Sequence, residues 1–375
     1  MPYGGVARYF TEMIKRLPDD IAWQFGMVST RNIYLQEPPY CIPRHKQNAH
    51  DFIRNTLKGH SFPGVTHVYK LLARLMPRKF PSGELANARI FRKTLRKGDF
   101  DIVHLTSAHT VHDNWWPVLG KRPIVVTIYD LIPEIIYEGK RISRMRRRLL
   151  REATHIIAIS EYTKRDIMRI YGVPSEKISV IHLGFLKPDV TTSVSFPLPK
   201  PYLLYVGARG GYKNFSFFVE AIAPILKTSE LSLFCTGGRF NAEELALLGR
   251  LGISDKVHQR FVADVEMTDL FANAIAFVYP SIYEGFGIPI LDAFAAGCPA
   301  LISDASCFPE VAGDAALYFD PKNAVDLRDK LIQLLKGDIR QSLVDKGMER
   351  VRQFSWQRCA DQTAAVYRKV ALKIK

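Results

Sequence analysis

Short apolar, β-branched runs alternate with helix-periodic stretches from one end of the chain to the other, and this alternation constrains the fold more than any other feature. Asp101–Leu105 (DIVHL), Ile124–Tyr129 (IVVTIY), His155–Ile159 (HIIAI) and Ile178–His182 (ISVIH) read as buried strands. In the second half, Tyr202–Val206 (YLLYV), Leu231–Thr236, Val257–Phe261, Ala276–Tyr279 (AFVY) and Ala300–Ile302 repeat the theme. Strand alternating with helix implies parallel sheets joined by right-handed crossovers, so the expected class is α/β. The 375 residues exceed one ordinary core and suit two domains. Lys187–Pro201 (KPDVTTSVSFPLPKP) is rich in Pro, Ser and Thr and reads as the join between them. The expected organisation is a doubly wound domain over 1–187, a linker over 188–200 and a second such domain over 201–355. A final helix over 356–375 is expected to cross back to the first domain.

Charge separates the halves. Residues 1–187 hold 31 Lys and Arg against 16 Asp and Glu, whereas residues 188–375 hold 21 of each. The excess of +15 therefore lies wholly in the first half and points to an anionic partner there, either a membrane surface or a phosphorylated acceptor. Nucleic acid is a competing reading that charge alone raises, and the motifs below give it no support. The five cysteines are odd in number and scattered, with no CxxC, as in a reduced, cytoplasmic protein. No apolar run approaches the roughly 20 residues of a membrane-spanning helix.

The densest chemical signal is Tyr279–Gly297, YPSIYEGFGIPILDAFAAG. A strand ends at Tyr279, a loop carries Glu284-Gly285-Phe286-Gly287, and Pro289 starts a helix at a favoured first-turn position. Glycines let backbone N–H groups approach a ligand, and the helix N-terminus adds positive potential. Asp292 lies eight residues beyond Glu284, a spacing that predicts two carboxylates on one face, suited to the hydroxyls of a sugar and a ribose. The second signal is Gly207-Ala208-Arg209-Gly210-Gly211-Tyr212-Lys213-Asn214, placed between a strand and a helix start. Two cations four residues apart among glycines form a nest for a diphosphate.

With these blocks on view, the chain resembles the retaining glycosyltransferases of family 4 (glycosyl transferases group 1), which have the GT-B fold. The likeness is carried by EGFGIP and continues through VGARGGYKNF, VTIYDLIPE, IIAISEYTKRDI and CFPEVAGDAALYFDP. It implies an N-terminal acceptor domain and a C-terminal nucleotide-sugar domain facing a cleft. It implies catalytic roles for Glu284, Arg209, Lys213 and Asp130, with Arg209 and Lys213 on the donor pyrophosphate. It implies donor contacts from Gly4, Gly5, Tyr129, Gly207, Gly237, Gly238, Arg260, Phe261, Gly285, Phe286, Gly287, Ile288 and Asp292. No cofactor and no metal are implied, since the nucleotide sugar is a substrate. Catalysis is expected to rest on positioning and charge stabilisation.

Two positions depart from the commonest family pattern. Tyr129-Asp130 replaces His-Asp, which leaves the contact near the reacting carbon to a tyrosine hydroxyl. Asp292 replaces a glutamate and is one methylene shorter. Tyr129-Asp130 with GGYKNF is similar to the bacterial polysaccharide branch, which implies GDP-mannose as first choice of donor (UDP-linked donors second) and a lipid-linked oligosaccharide as acceptor. A soluble sugar-phosphate or glucan synthase of the same fold is the alternative.

The remaining readings are local. Gly4-Gly5 opens straight into a helical pattern, Tyr9, Met13, Ile14, Leu17, although such turns normally follow a strand, so a late start codon is expected. His104, His109 and His112 fall on the acceptor side, where a structural role is the default. Ser160 and Thr163 read as helix caps. Asp99-Phe100-Asp101 imitates a metal-binding DxD but runs into a strand. The segment Lys140–Arg151 (KRISRMRRRLLR) sets seven cations around Ile142, Met145, Leu149 and Leu150. It is expected to dock on anionic lipid at the inner face of the cytoplasmic membrane.

Overall fold

Each of the nine apolar runs folds as a strand in the computed structural model, which describes residues 5–27, 30, 32–43, 83–105, 119, 122–137, 140–186 and 193–372. β1 (Val103–Leu105), β2 (Ile124–Ile128), β3 (His155–Ala158) and β4 (Ile178–Val180) form one parallel sheet in the order β1-β2-β3-β4. β5 (Tyr202–Tyr205), β6 (Ser232–Thr236), β7 (Val257–Arg260), β8 (Ala276–Tyr279), β9 (Ala300–Ser303) and β10 (Leu317–Phe319) form a second. Its order is β10-β9-β8-β5-β6-β7, and every pairing is parallel. β2, β3, β5, β6, β8 and β9 are buried along their whole length, as parallel strands covered on both faces must be. This is the GT-B fold. The strand missed in the sequence, β10, is only three residues long and largely half-buried.

Helices cover both sheets. In the first half they are α1 (Gly5–Ile14), α2 (Gly83–Lys97), α3 (Ile132–Ile135), α4 (Lys140–Glu152) and α5 (Glu161–Tyr171). In the second they are α6 (Phe215–Thr228), α7 (Ala242–Leu251), α8 (Met267–Asn273), α9 (Ile288–Ala295), α10 (Phe308–Ala312), α11 (Ala324–Leu335), α12 (Arg340–Val351) and α13 (Trp356–Leu372). α5 shows how the sequence writes its own ends: Ser160, extended at φ −153°, accepts from the Thr163 N–H, and Gly172 at φ +65° closes the last turn. α7 opens with an Asn241–Glu244 capping box.

One apolar cluster joins the halves, running from Tyr9 and Met13 through Val125 and Ile157 to Phe286, Phe294 and Trp356. Two more fill the outer faces of the sheets. α13 returns across the molecule and lies against α1. Arg368 there makes a bidentate pair with Asp20, and Tyr367 meets His104. The two strands of chain that cross between halves run side by side: Phe185 N–H donates to Phe354 O at 3.0 Å. A Cβ on Gly184 would stand 2.2 Å from Trp356 N, so this crossing admits only glycine.

One expectation needs correcting here. In α4, Leu149 and Leu150 are buried against the first sheet, but so is a cation. Arg146 is 6 % exposed, pairs with Glu134 at 2.9 Å and donates to the Asp130 carbonyl at 2.8 Å. It sits on the apolar side of the helix, where a buried charge must find a partner, and is not free to dock on lipid. Arg144 and Arg147 remain exposed, and the Ile142 side chain lies outside the described residues. His104 is half-buried, with Nε2 2.8 Å from the Thr127 hydroxyl, and loss of hydration pushes its pKa down to about 3. Its ring packs against Phe10 and Tyr367, which fits the structural role that is its default in the sequence. His109 and His112 lie outside the described residues.

Candidate active site

The second sheet reverses direction beside β5. The chain runs outward through β5, β6 and β7, returns to β8 on the other side of β5, and continues to β9 and β10. Ligands of open parallel sheets bind at such a reversal, beyond the carboxyl ends of the strands. The loop after β5 carries Lys213 and the loop after β8 carries Glu284. Lys213 Nζ stands 2.6 Å from Glu284 Oε1, and the two side chains are only 15 % and 11 % exposed. The two motifs thus meet at the switch point through their charged residues.

Each partner is held from behind. Lys213 ends a short 3-10 turn, Gly211–Lys213, and Asn214 at φ +60° then turns the chain into α6. The ammonium lies 5.2 Å from the Tyr212 ring and 5.5 Å from that of Tyr279. The Glu284 N–H donates to the Ser306 hydroxyl at 3.0 Å, and the Cys307 thiol donates to the Glu284 carbonyl at 3.3 Å. Gly207 and Gly237, both at φ +107°, end β5 and β6 in contact: a Cβ on Gly237 would lie 2.9 Å from the Gly207 carbonyl oxygen. Gly287 at φ +93° is the N-cap of α9, whose first turn has no side-chain cap. Within that turn Pro289 has no N–H, and the Ile290 N–H donates to the Gly287 carbonyl at 2.9 Å.

The first half closes on this loop. The Ser160 hydroxyl donates to the Gly285 carbonyl at 2.9 Å, and the Tyr283 hydroxyl donates to Asp166 at 2.8 Å. Gly285 itself rests on the backbone beyond β2, where a Cβ would fall 1.9 Å from the Tyr129 carbonyl oxygen. Glu310, in the first turn of α10, accepts from the N–H groups of Glu161 and Tyr162 at 2.7 and 3.2 Å and from His182 at 2.6 Å. The second half therefore caps the N-terminus of α5.

Several site expectations change. Arg209 is buried, clamped between the Phe240 and Phe215 rings at 4.6 and 5.8 Å, and its Nε and Nη2 bond Glu244 at 3.0 and 3.2 Å. Nη2 also donates to the carbonyls of Gly238 and Arg239 at 2.7 and 2.9 Å, leaving only Nη1 without a partner. Through these bonds Arg209 links α7 to the turn at Gly238 and Arg239.

Asp292 does not share a helical face with Glu284, because the helix begins only at Ile288 and Glu284 lies in the loop before it. Around Asp292 are Arg8 and Asp264. Burial pushes its pKa up to about 7, with Arg8 opposing and Asp264 adding to the rise. The Tyr129 hydroxyl is buried and has no hydrogen-bond partner among the described residues, and its ring is edge-on to Tyr9 at 5.7 Å. Phe286 is likewise core, packed on Phe354 and His182. Asp130 caps the Ile132 N–H at 3.0 Å.

The Arg260 guanidinium lies 4.6 Å over the Phe196 ring beside a recess of about 390 Å³, and Phe261 is 79 % exposed. Gly5 begins α1, and Gly4 lies outside the described residues. Asp99 and Asp101 are exposed at the amino end of β1, the end opposite to that at which such sheets bind ligands. Arg8, Glu310 and the Ser160–Gly285 bond had no signal in the sequence beyond lying in motif-like segments.

Asp292 makes a prediction about pH. Its carboxyl stays protonated in the folded state up to about pH 7, against about 3.9 when unfolded. The native state thus binds the extra proton across that window, and stability falls as pH rises from about 4 to about 7. Asp292→Asn mimics the neutral form and should remove this slope. Melting temperatures of parent and variant should agree best near pH 4 and diverge towards pH 8, with the variant the more stable. A constant difference across the range contradicts the shift.

Two family models account for nearly the whole chain: glycosyltransferase family 4 over residues 3–185 and glycosyl transferases group 1 over residues 189–350. The chain belongs to the group 1 glycosyltransferases. Among curated glycosyltransferases it is similar to O-antigen chain mannosyltransferase B of Escherichia coli, 30 % identical over 58 % of this chain and 61 % of that protein. It is 32 % identical to the O-antigen chain mannosyltransferase RfbU of Salmonella typhimurium over 58 % and 60 %. It is 28 % identical to the MMP alpha-(1->4)-mannosyltransferase of Mycolicibacterium hassiacum over 74 % and 73 %. The match thus spans about three fifths of the two O-antigen enzymes. Among solved structures, Anabaena HepE in complex with UDP and glucose superposes at a TM-score of 0.69 and 16 % identity, covering 97 % of this chain and 96 % of that one. This likeness confirms the fold.

Proposed function

We propose that this glycosyltransferase moves a hexose from a nucleoside diphosphate onto a growing cell-surface oligosaccharide, with mannose from GDP-mannose as the first donor to test. The observation that carries the reading is the Lys213–Glu284 pair at the strand-order reversal, 2.6 Å apart and largely shielded from water. The C1–O bond to the donor's phosphate breaks and its electron pair leaves with the diphosphate. An acceptor hydroxyl then bonds to C1 from the same face and passes its proton to the departing phosphate oxygen, so configuration is retained. Lys213 neutralises charge on the departing diphosphate, aided by the uncapped first turn of α9. Glu284, released from Lys213 by the phosphate, orients the sugar hydroxyls. Asp292 serves the ribose. The mannosyltransferase names of the relatives support the choice of sugar, and the HepE complex supports UDP as the nucleotide to test beside GDP.

With a lysine and a helix terminus at the diphosphate, the reaction is expected to need no metal. Among the described residues no group of three or more His, Cys, Asp and Glu could hold one. Transfer from GDP-mannose to lipid-linked oligosaccharide should proceed unchanged with EDTA present. Activity that vanishes with EDTA and returns with magnesium overturns this part of the reading. A lipid-linked acceptor also suits the basic first half. Among the described residues no helix is long and apolar enough to cross a membrane, and α4 exposes Arg144 and Arg147 for contact with anionic lipid. Sedimentation with anionic vesicles, weakening as salt rises, tests that contact.

A further inference from the structure

Two tyrosines from opposite halves of the chain meet beside the Lys213–Glu284 pair. Tyr137, just past α3, is 60 % exposed, and its hydroxyl has no hydrogen-bond partner among the described residues. Tyr212 precedes Lys213 on the loop after β5. The ring centroids are 6.4 Å apart with the planes at 78°, so the two rings form a corner. Burial pushes the Tyr212 hydroxyl up to about 12, and Glu284 and Asp130 add to the rise, so this ring stands between carboxylates of both halves. A Cβ on Gly211 would lie 3.3 Å from the Tyr137 hydroxyl, which places the loop in contact range of that side chain. Ile282, 37 % exposed, adds an apolar edge, and its N–H donates to the Tyr212 carbonyl at 2.8 Å.

We propose that Tyr137 and Tyr212 form the subsite for the acceptor's terminal sugar, the ring that carries the attacking hydroxyl. This inference rests on the transferase reading above. A pyranose has an apolar C–H face and a rim of hydroxyls, and tyrosine offers the matching pair: a flat apolar ring and a polar tip. In a corner of two rings, one ring takes the C–H face while the other borders the rim. The Asp130 carboxylate, which acts on Tyr212, supplies an acceptor for the hydroxyls. The donor's diphosphate is assigned to Lys213 and α9, both in the second half, which leaves the wall formed by Tyr137 to the incoming molecule.

The test is saturation-transfer NMR on the full chain, loaded with GDP or UDP, with mannobiose, maltose and cellobiose as probes. At least one disaccharide should receive saturation on the C–H protons of one ring. Tyr137→Ala and Tyr212→Ala should each weaken its binding roughly tenfold, the amount expected for losing one aromatic contact of about 1.4 kcal/mol. Tyr137→Phe should keep the signal, because the ring face does the stacking. Stabilisation by the nucleoside diphosphate should be the same in parent and Tyr137→Ala. If the nucleotide binds but no disaccharide does, or if the alanine variants bind the sugar as the parent does, the subsite is wrong while the transferase reading stands. If no nucleotide binds the parent, the transferase reading itself fails.

Discussion

Replacing Lys213 with alanine should lower kcat by about 10²–10³-fold, the loss expected when one preorganised charge donor is taken from a departing group. Lys213→Arg should recover part of this, since it restores charge with a different geometry. Glu284→Ala should be as damaging to turnover and should also destabilise the fold. Glu284 is 9 % exposed, and removing it leaves the Lys213 ammonium shielded from water and unpaired. An orphaned group of this kind costs about 1–3 kcal/mol. The double variant Lys213→Ala/Glu284→Ala removes both charges and should melt above Glu284→Ala while staying inactive. Near-normal turnover in Lys213→Ala would remove the lysine from the mechanism.

Gly285→Ala should be nearly as costly to activity, although it deletes no chemical group. The new methyl would stand 1.9 Å from the Tyr129 carbonyl oxygen and 3.2 Å from the Asp130 Cβ. Backbone meets backbone there, so no flexible side chain can give way, and the halves must separate across the cleft. Overpacking of this sort costs about 1–3 kcal/mol of stability. A displacement near 1 Å of groups that must act together costs about 10²-fold in rate. Turnover and melting temperature should therefore fall together. Gly285→Ala with parental activity would show that the two halves do not need this contact for transfer.

Local signals made much of the fold legible. Each buried strand is a short apolar run with its own end markers, and the Ser160 cap and Gly172 stop bound α5 as their residue types require. β10 escaped because three residues with two half-buried positions show no period. The site was legible only where a motif brings its own geometry, as in the loops holding Lys213 and Glu284. Arg209 shows the limit. Its spacing from Lys213 suggested a shared ligand, and nothing local announces that a glutamate 35 residues away on α7 pairs with the guanidinium. The spacing of Glu284 and Asp292 misled in a similar way, because helical periodicity was extended across a loop. The bond from Ser160 to Gly285 joins residues 125 apart, and no local pattern announces such a pairing.

The most direct test of the nucleotide-sugar site is the melting temperature of the parent and Lys213→Ala with GDP, UDP, ADP and their hexose conjugates. A ligand at about 100 times its dissociation constant stabilises the state that binds it by about 2.7 kcal/mol. One nucleoside diphosphate and its sugar conjugate should raise the parent's melting temperature by several degrees, and Lys213→Ala should lose most of that rise. A parent that no nucleotide stabilises, or a variant stabilised as strongly as the parent, contradicts a diphosphate site built on Lys213 at the carboxyl ends of β5 and β8.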